Sequence, residues 1–472
     1  MKCINCGTDN KLPERIVNEG RCKECHHPFV FEPTTMGKYK VTDAMFAKAI
    51  ADISGKNTLY FTPKQLFYFL DSRLRPKSFP VIYIPVLIFI YLFFNVWLTG
   101  FIGIGGLFLL MLLISIVGSI LLFLGIPNIM GIDIVGIMIG FINPSNGINY
   151  VIIANAISQL YIIYFLQKLT KSPELNYIVR RQTSQSLQLL GIFLIISGVA
   201  GSIYFNSYLM LIIFPIIGIL SVYVGTKQLN KVQLVNQEPL FKQIDFQAWL
   251  EKWQNINGVT SYLLNKPQET LNPANINPEV TAYSFDRLVV CDSANIAQLL
   301  IANNFHFENN CAILSITGYP QSIFETTMEM LRRNPNLQVF AFHDCSPKGV
   351  SLIHHLRSSE NWFFNSDVTI IDVGLLPRQI LANKRGMFIQ NTASLAKKST
   401  ELPLEGCQTL SAEELAWLDA GNFIELESFS SQILIKVLRN GISGSLNLES
   451  DDSSMILIGD SGNDIYMVES FG

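Results

Sequence analysis

A long apolar block at residues 79–226 constrains the fold of this 472-residue chain more than any other feature. Between Lys77 and Lys168 the chain carries one charged side chain, Asp133. In a soluble protein of this size, apolar runs of this length would be interrupted by polar residues. In a lipid bilayer an apolar helix is stable, because it satisfies its own backbone hydrogen bonds. The block therefore predicts an α-helical transmembrane bundle, and the lipid bilayer is the first partner that the sequence implies.

The apolar block divides into candidate spans at its polar turns. Residues 81–98 and 102–124 form one predicted hairpin, and residues 187–205 and 208–224 form a second. Between the hairpins lie two weaker segments, residues 129–142 and 150–166. The segment 129–142 is short for a span and contains Asp133. The weaker pair is therefore interpreted either as two spans or as re-entrant and interfacial segments. Both alternatives give an even number of crossings, four or six.

Basic residues cluster at the same end of each predicted hairpin. They are Arg73, Arg75, Lys77, Lys168, Lys171, Arg180, Arg181, Lys227 and Lys231. Because positively charged loops stay on the cytoplasmic side, the clusters predict an integral membrane protein of the bacterial inner membrane, or an equivalent membrane, with both termini cytoplasmic. A transporter or channel is an alternative, but Asp133 is the only charge within the predicted spans that an ion path could use.

Four of the eight cysteines lie within the first 25 residues as two C-x-x-C pairs. The short spacer lets both sulfurs of one pair reach the same ion, and the 15-residue gap permits a hairpin that brings the pairs together. Four thiolates in a tetrahedron suit structural zinc. Residues 1–35 therefore predict a zinc ribbon. Its predicted ligands are Cys3, Cys6, Cys22 and Cys25. The neighbouring His26 and His27 are predicted to be surface residues.

Residues 38–77 predict two short helices. Apolar residues at helical spacing mark the first helix, which Thr42 or Asp43 can cap. Thr62 as N-cap and Pro63 at the first helical position mark the start of the second. The segment holds eight basic and three acidic residues, a net charge of +5. The predicted contacts to nucleic acid or anionic lipid are Lys64, Arg73, Arg75 and Lys77.

The cytoplasmic half after the block changes its pattern along its length. Residues 227–284 predict a polar linker with one helix, at 246–253. Residues 285–445 alternate apolar strands with helices, and their solid apolar runs predict a mainly parallel sheet that is buried on both faces. Residues 446–472 form an acidic tail with a predicted hairpin. Functional side chains lie at the carboxyl ends of parallel strands. Those positions hold Cys291, Asp292, Thr317, Asp344, Ser346 and Asp372.

Four short motifs mark the α/β half. They are residues 289–291 (VVC), 316–320 (ITGYP), 344–349 (DCSPKG) and 424–429 (IELESF). In order and spacing they resemble the Toprim domain of the topoisomerase VI A subunit and its meiotic double-strand-break relatives. The resemblance covers about a third of the chain. It implies a Toprim-like domain at 285–445, and a winged-helix-like segment ahead of it at 38–77.

The resemblance also implies site residues. In that family a DNA-cleaving tyrosine follows an arginine by four residues, and these positions correspond here to Tyr68 and Lys64. A glutamate and an Asp-x-Asp pair hold Mg²⁺ in the family, where this chain has Cys291, Asp344 and Ser346. One carboxylate of three is a poor ligand set for Mg²⁺, which prefers several oxygen ligands. Lysine also lacks the bidentate phosphate contact of arginine.

These departures favour a non-catalytic protein. Adjacent strand residues point to opposite faces, so Asp292 is not expected to complete a site with Asp344. We expect a membrane-anchored cytoplasmic protein whose zinc ribbon and Toprim-like domain bind protein or nucleic acid, and which can form a homodimer. Tyr68 is then expected to pack with Phe67 and Phe69, and Asp344 to hydrogen-bond a turn. The alternative is a membrane-tethered, Mg²⁺-dependent DNA-cleaving enzyme that uses Tyr68 and Asp344.

Overall fold

A computed structural model of the chain divides into two compact units. Met1–Arg75 and Asn236–Gly472 form one of them, the split unit, and Pro76–Val235 form the other, the inserted unit. The apolar block of the sequence is therefore an insertion into the split unit. The residues that the structure describes are 1–37, 39–75, 147–172, 175, 177–205, 208–232, 239–267, 286–332, 334, 336–382, 387–392, 410–444, 457–459 and 465–467.

Three helices form at the start of the split unit. They are α1 (Leu12–Val17), α2 (Asp43–Ile53) and α3 (Pro63–Leu74). Thr42 caps α2 by accepting a hydrogen bond from the backbone N–H of Met45. Thr62 caps α3 in a capping box with Gln65, and Pro63 takes the first helical position, where no N–H is needed. Both helix starts confirm the prediction from the sequence.

The inserted unit contributes three long helices to the described residues. They are α4 (Gly147–Thr170), α5 (Tyr177–Phe205) and α6 (Tyr208–Val232). Two stretches, Val179–Ile203 and Tyr208–Leu229, are long and apolar enough to cross a membrane. Helix α5 begins earlier than the predicted span, so Arg180 and Arg181 lie in its first turns rather than in a loop. The predicted spans before residue 143 lie outside the described residues, and the number of spans stays a prediction.

Glycines let α5 and α6 pack closely. A Cβ atom at Gly191 would lie 2.5 Å from the backbone oxygen of Gly218, and one at Gly218 would lie 2.6 Å from the oxygen of Gly191. Nearby, Ser221 Oγ donates a hydrogen bond of 2.7 Å to the backbone oxygen of Leu187. Small residues at a crossing bring helix backbones into contact and allow interhelical hydrogen bonds in apolar surroundings. The α5–α6 pair is therefore a tightly packed helical hairpin.

After the insertion the chain re-enters the split unit with α7 (Gln243–Asn257). Trp253 of α7 packs 4.9 Å from Phe46 of α2, and Phe246 lies 5.6 Å from Phe67 of α3, measured between ring centroids. These rings belong to one buried cluster. Helix α7 therefore completes a three-helix core, and this part of the predicted linker is a structural component of the fold.

The two sides of the insertion also join through their backbones. The N–H of Phe61 donates to the oxygen of Tyr262 at 3.0 Å, and the N–H of Leu264 donates to the oxygen of Phe61 at 2.9 Å. The small helical domain predicted at 38–77 therefore includes residues that follow the apolar block in sequence.

Four parallel strands form the central sheet, in the order β2–β1–β3–β4. They are β1 (Arg287–Cys291), β2 (Cys311–Ser315), β3 (Gln338–Phe342) and β4 (Thr369–Asp372). Val289 packs on one face in a core with Ile313 and Phe340, while Leu288 and Val290 pack in a second core. Burial on both faces accounts for the solid apolar runs, and the predicted parallel sheet is confirmed.

Helices connect the strands and cover the sheet. They are α8 (Ala294–Ala302), α9 (Phe305–Asn309), α10 (Gln321–Arg332), α11 (Pro347–Val350), α12 (Leu352–Ser358), α13 (Pro377–Ala382), α14 (Ala412–Asp419) and α15 (Ser431–Gly444). Two antiparallel pairs complete the described strands. They are β5 (Gln390–Asn391) with β6 (Asn422–Phe423), and β7 (Leu457–Gly459) with β8 (Ile465–Met467). The β5–β6 pair sets Gln390 opposite Phe423.

Candidate functional site

The N-terminal cysteines form a tight cluster. Cys3 Sγ lies 3.6 Å from Cys25 Sγ, and Cys6 Sγ lies 3.6 Å from Cys22 Sγ. All four sulfurs lie within 4.8 Å of one another. Zinc–sulfur bonds of about 2.3 Å in a tetrahedron require sulfurs roughly 3.8 Å apart. The predicted ligands are therefore brought together in an arrangement that can hold a metal ion and is compatible with zinc.

Local hydrogen bonds shape the two cysteine turns. The N–H of Gly7, at a φ of +75°, donates to the backbone oxygen of Cys3 at 2.9 Å and closes the first turn. Burial raises the pKa of Cys22, but hydrogen bonds from the backbone of Cys25 and Glu24 outweigh it and bring the pKa to about 6. A thiolate, which is the form that binds metal, is thereby favoured at this ligand.

The two histidines beside the cluster stay outside it. His26 is exposed, and His27 Nε2 lies 3.0 Å from Asn257 Oδ1 of α7. Within the part of the chain that the structure describes, only the four cysteines group three or more His, Cys, Asp or Glu side chains closely enough for one ion. The cysteine cluster is therefore the candidate metal centre.

A second polar cluster lies at the carboxyl ends of the central strands. Asp292 Oδ2 accepts a hydrogen bond of 2.7 Å from the backbone N–H of Asp344. Burial, and then the charge of Asp344, raise the pKa of Asp292 to about 7. The expectation that Asp292 would point away from Asp344 is wrong, because β1 ends at Cys291 and strand alternation no longer governs the next residue.

Asp344 holds a turn, as the sequence predicts. Its Oδ1 accepts hydrogen bonds from Ser346 Oγ at 2.6 Å and from the Ser346 N–H at 3.2 Å. Ser346 in turn caps α11 by accepting from the N–H of Gly349 at 3.1 Å. A Cβ atom at Gly349 would lie 2.3 Å from the backbone oxygen of Asp344, so the turn requires glycine. The hydroxyl of Ser346, which the resemblance aligns with the second aspartate of the family, is thus engaged in the turn.

His343 is a buried member of this cluster to which the sequence assigns no role. Its Nδ1 lies 2.8 Å from the backbone oxygen of Asp344, and its Nε2 lies 3.1 Å from Asp372 Oδ1. Both partners are acceptors, so both ring nitrogens donate and the ring is an imidazolium. Burial lowers the pKa of His343, but Asp372 outweighs it and brings the pKa to about 9. His343 therefore links the carboxyl ends of β3 and β4.

Tyr68 of α3 lies in a polar network that reaches the α/β part of the split unit. Its hydroxyl donates to a carboxylate oxygen of Glu425 and accepts from Gln390 Nε2 at 2.6 Å. Lys64, one turn earlier, places its Nζ 2.6 Å from Glu425 Oε1 and 3.5 Å from Glu427 Oε2. Sequence reasoning missed Glu425 and Gln390 as site residues. The last Toprim-like motif contains Glu425, but no pattern in the sequence marks Gln390.

Backbone pairing places this network beside Asp344. Cys345 and Ile424 exchange backbone hydrogen bonds of 3.0 and 3.2 Å in an antiparallel bridge. Their neighbours Asp344 and Glu425 are therefore opposite each other and on the same face. The charge of Glu425 adds to burial in raising the pKa of Asp344. Tyr68 thus hydrogen-bonds the residue that lies opposite Asp344, although the apolar block separates Tyr68 from both residues in sequence.

Further hydrogen bonds fix α3 and the segment before it to the α/β part. The backbone N–H of Tyr60 donates to Asn303 Oδ1 at 2.8 Å, and the backbone oxygen of Tyr60 accepts from Asn303 Nδ2 at 3.1 Å. Gln65 Nε2 donates to the backbone oxygen of Phe429 at 2.9 Å, and Ser431 Oγ donates to that of Tyr60 at 2.8 Å. Buried polar contacts of this kind hold one geometry, because breaking one leaves a buried group unsatisfied.

Basic residues predicted to contact nucleic acid or lipid have internal partners. Lys64 pairs with Glu425, Arg73 with Asp52, and Arg75 Nε lies 2.7 Å from Asp71 Oδ2. Arg75 is buried and also lies over the ring of Phe388. Lys77, the fourth predicted contact, lies outside the described residues. The three described side chains therefore direct their charge toward carboxylates of the protein.

The chain was compared with known proteins, and neither a protein-family model nor a curated protein matches it. The resemblance to the Toprim domain therefore stays a prediction from four short motifs of the sequence. The cysteine cluster and the edge around Asp344 and Glu425 are the two candidate functional sites.

Proposed function

We propose that the chain is a membrane-anchored cytoplasmic protein whose split unit is a non-catalytic binding module. In this proposal the four N-terminal cysteines hold a structural zinc ion, and the α/β part is a degenerate Toprim-like domain. The observation that carries the proposal is the closed network around Tyr68. Its hydroxyl is bonded to Glu425 and Gln390, and the neighbouring Lys64 is paired with the same carboxylate.

The state of Tyr68 argues against nucleophilic catalysis. A tyrosine that attacks a DNA phosphate must first give up its proton, so enzymes activate such groups with a base or a lowered pKa. Here burial, and then the charge of Glu425, raise the pKa of Tyr68 far above its usual value. The residue is 5% exposed and packs against Phe67 and Phe388, at ring distances of 5.3 and 4.9 Å. In this conformation its oxygen is directed into the protein.

The ligand set at the strand ends also supports a non-catalytic role. Mg²⁺ in the resembling family is held by three carboxylates, two of which correspond here to Cys291 and Ser346. Cys291 is buried in the sheet, and the hydroxyl of Ser346 is donated to Asp344. Asp292 supplies a nearby carboxylate, whose pKa is raised by burial and then by the charge of Asp344. Two carboxylates are still fewer oxygen ligands than Mg²⁺ prefers.

The pairing of basic residues favours a protein partner over nucleic acid. Binding to a phosphate backbone depends on lysine and arginine side chains that can neutralise phosphates. Lys64, Arg73 and Arg75 are engaged by carboxylates of the same unit. On helix α1 of the cysteine-bearing head, Ile16 and Val17 are 69% and 81% exposed. Exposed apolar side chains that adjoin one another are typical of protein contacts.

The membrane proposal rests on helices α5 and α6. Each contains a stretch long and apolar enough to span a bilayer; α5 ends at Phe205, and α6 begins at Tyr208. Such a hairpin returns the chain to the side on which it started. With an even number of spans and the positive-inside distribution of basic residues, both parts of the split unit lie in the cytoplasm.

A nicking assay tests the proposal. Full-length protein in lipid nanodiscs is incubated with supercoiled plasmid and Mg²⁺, beside its Tyr68→Phe variant, and binding of fluorescent duplex DNA is followed by anisotropy. We expect no nicked plasmid from either protein and no saturable DNA binding at physiological salt. Nicking by the natural chain that Tyr68→Phe abolishes would refute the proposal.

One observation favours a second function, Mg²⁺-dependent DNA cleavage. Tyr68, Glu425, Asp344 and Asp292 lie along one edge of the split unit, although they come from four separated parts of the chain. An opening of the Lys64–Glu425 contact would expose a tyrosine beside carboxylates. The same nicking assay distinguishes this function, because Mg²⁺-dependent nicking that Tyr68→Phe abolishes would support it.

A further inference from the structure

A cavity of about 460 Å³ lies beside Tyr68 in the split unit. Its volume falls in the range of small-molecule sites, which is roughly 300–1,000 Å³. Phe67 and Phe241 contribute aromatic side chains to its lining, and Gln243, Gln390 and Glu425 are among its polar residues. Lys242 lies at the cavity and is exposed to solvent. The cavity therefore combines flat apolar surface with a few polar groups, as ligand sites do.

The walls of this cavity are held in place by the surrounding fold. The rings of Phe67 and Phe241 meet edge to face with centroids 5.2 Å apart, and Trp249 supports Phe241 at 5.1 Å. The N–H of Leu240 donates to Asp71 Oδ1 at 2.7 Å and ties this segment to α3. A preformed wall reduces the entropy that a ligand must overcome on binding.

The charges at the cavity select the ligand. Glu425 is occupied, because it accepts from Lys64, Tyr68 and Gln390. Lys242 has no ion pair with any residue that the structure describes. Among the described lining residues, the charge left without a partner is therefore the ammonium group of Lys242. An anionic group can take a charge-assisted hydrogen bond from it while an apolar body lies on the aromatic walls.

We propose that this cavity binds a small organic anion with a flat apolar body. The acidic group of the ligand pairs with Lys242, and its body packs on Phe67 and Phe241. The proposal depends neither on zinc in the cysteine cluster nor on the Toprim-like relationship. It assigns a ligand site to the junction between the small helical domain and the α/β part.

The test uses 4-fluorobenzoate, a flat aromatic anion, and ¹⁹F NMR titration of full-length protein in nanodiscs. The uncharged 4-fluorobenzamide, which has the same body, reports the contribution of the charge. We expect saturable binding of the benzoate and binding at least about tenfold weaker for the benzamide, since a charge-assisted hydrogen bond is lost. Lack of saturable benzoate binding overturns the proposal.

Variants locate the site on the protein. Lys242→Glu reverses the selecting charge, and Lys242→Gln removes it with little change in size. Lys252→Glu, at an exposed position of α7, is the matched control. We expect the first two to weaken benzoate binding by about tenfold or more and the control to leave it unchanged. Equal binding by Lys242→Gln and the natural chain, or an equal loss in Lys252→Glu, refutes the assignment to this cavity.

Discussion

Replacing Lys64 with methionine tests whether the network around Tyr68 stabilises the split unit. Lys64 Nζ contacts both Glu425 and Glu427, whose side chains are 21% and 10% exposed, and its own side chain is 30% exposed. Exposed ion pairs contribute up to about 1 kcal/mol, whereas breaking a buried pair costs about 3–5 kcal/mol. For this half-buried group we expect Lys64→Met to lower the free energy of unfolding by about 2 kcal/mol. Because the split unit has about 300 residues, the midpoint of thermal unfolding then falls by roughly 3 °C.

Tryptophan fluorescence of the full-length protein in nanodiscs measures this change. Four of the five tryptophans lie in the described part of the split unit, at positions 249, 253, 362 and 417. Lys48→Met, at an exposed position of α2, is the control and should cost less than about 0.5 kcal/mol.

A double-mutant cycle with Glu425→Gln separates the ion pair from other effects of the substitution. Because removing the cation leaves two carboxylates uncompensated, the double variant should lose less stability than the sum of the single variants, by about 1 kcal/mol. If Lys64→Met costs no more than the control, or if the two changes are additive, the network does not stabilise the fold and the argument for a closed Tyr68 fails.

Three further predictions follow from the site and the packing. Metal analysis of the purified protein should find one zinc ion per chain, lost in Cys22→Ser and retained in His26→Asn; retention by the cysteine variant contradicts the ligand assignment. Because the pKa of His343 is raised to about 9, the stability that its charge contributes should be fully present below about pH 6.5 and lost as the pH rises through 9. In urea unfolding, the free energy of unfolding lost in His343→Gln should therefore shrink between pH 6 and pH 10. A constant deficit would show that the imidazolium charge is unimportant. Gly191→Leu should destabilise the α5–α6 hairpin by more than about 2 kcal/mol, whereas exposed Ile203→Ala should not, as measured by thermal aggregation in detergent; equal midpoints would contradict the close crossing.

Features with short-range signals could be read from the sequence. Thr62 and Pro63 mark the start of α3 because capping depends on residues only three positions apart. The strands around Val289 could be predicted because burial on both faces requires continuous apolar runs. Each C-x-x-C pair is a local turn that brings two sulfurs together, and the short gap between the pairs permits both pairs to reach one ion.

Other features had no local signal. The sequence predicts the helix at 246–253 within a polar linker, but nothing local indicates that Trp253 packs against Phe46 from the other side of the apolar block. The side chain of Asp292 turns toward Asp344 because the strand ends one residue earlier, and such a boundary depends on neighbouring strands. Gln390 takes part in the Tyr68 network through a two-residue strand pair, which is too short for a hydropathy pattern to predict.

Distance along the chain therefore separates the features that the sequence predicts from those that only the tertiary structure shows. Hydropathy and residue spacing act over a few turns or strands, and they account for the apolar block, the parallel sheet and the cysteine ligands. The contact between Tyr68 and Glu425 joins residues 357 positions apart. This contact forms only when α3 packs on the α/β part, because its two residues come from opposite sides of the apolar block. That packing turns a tyrosine in a predicted catalytic position into a buried hydrogen-bond donor.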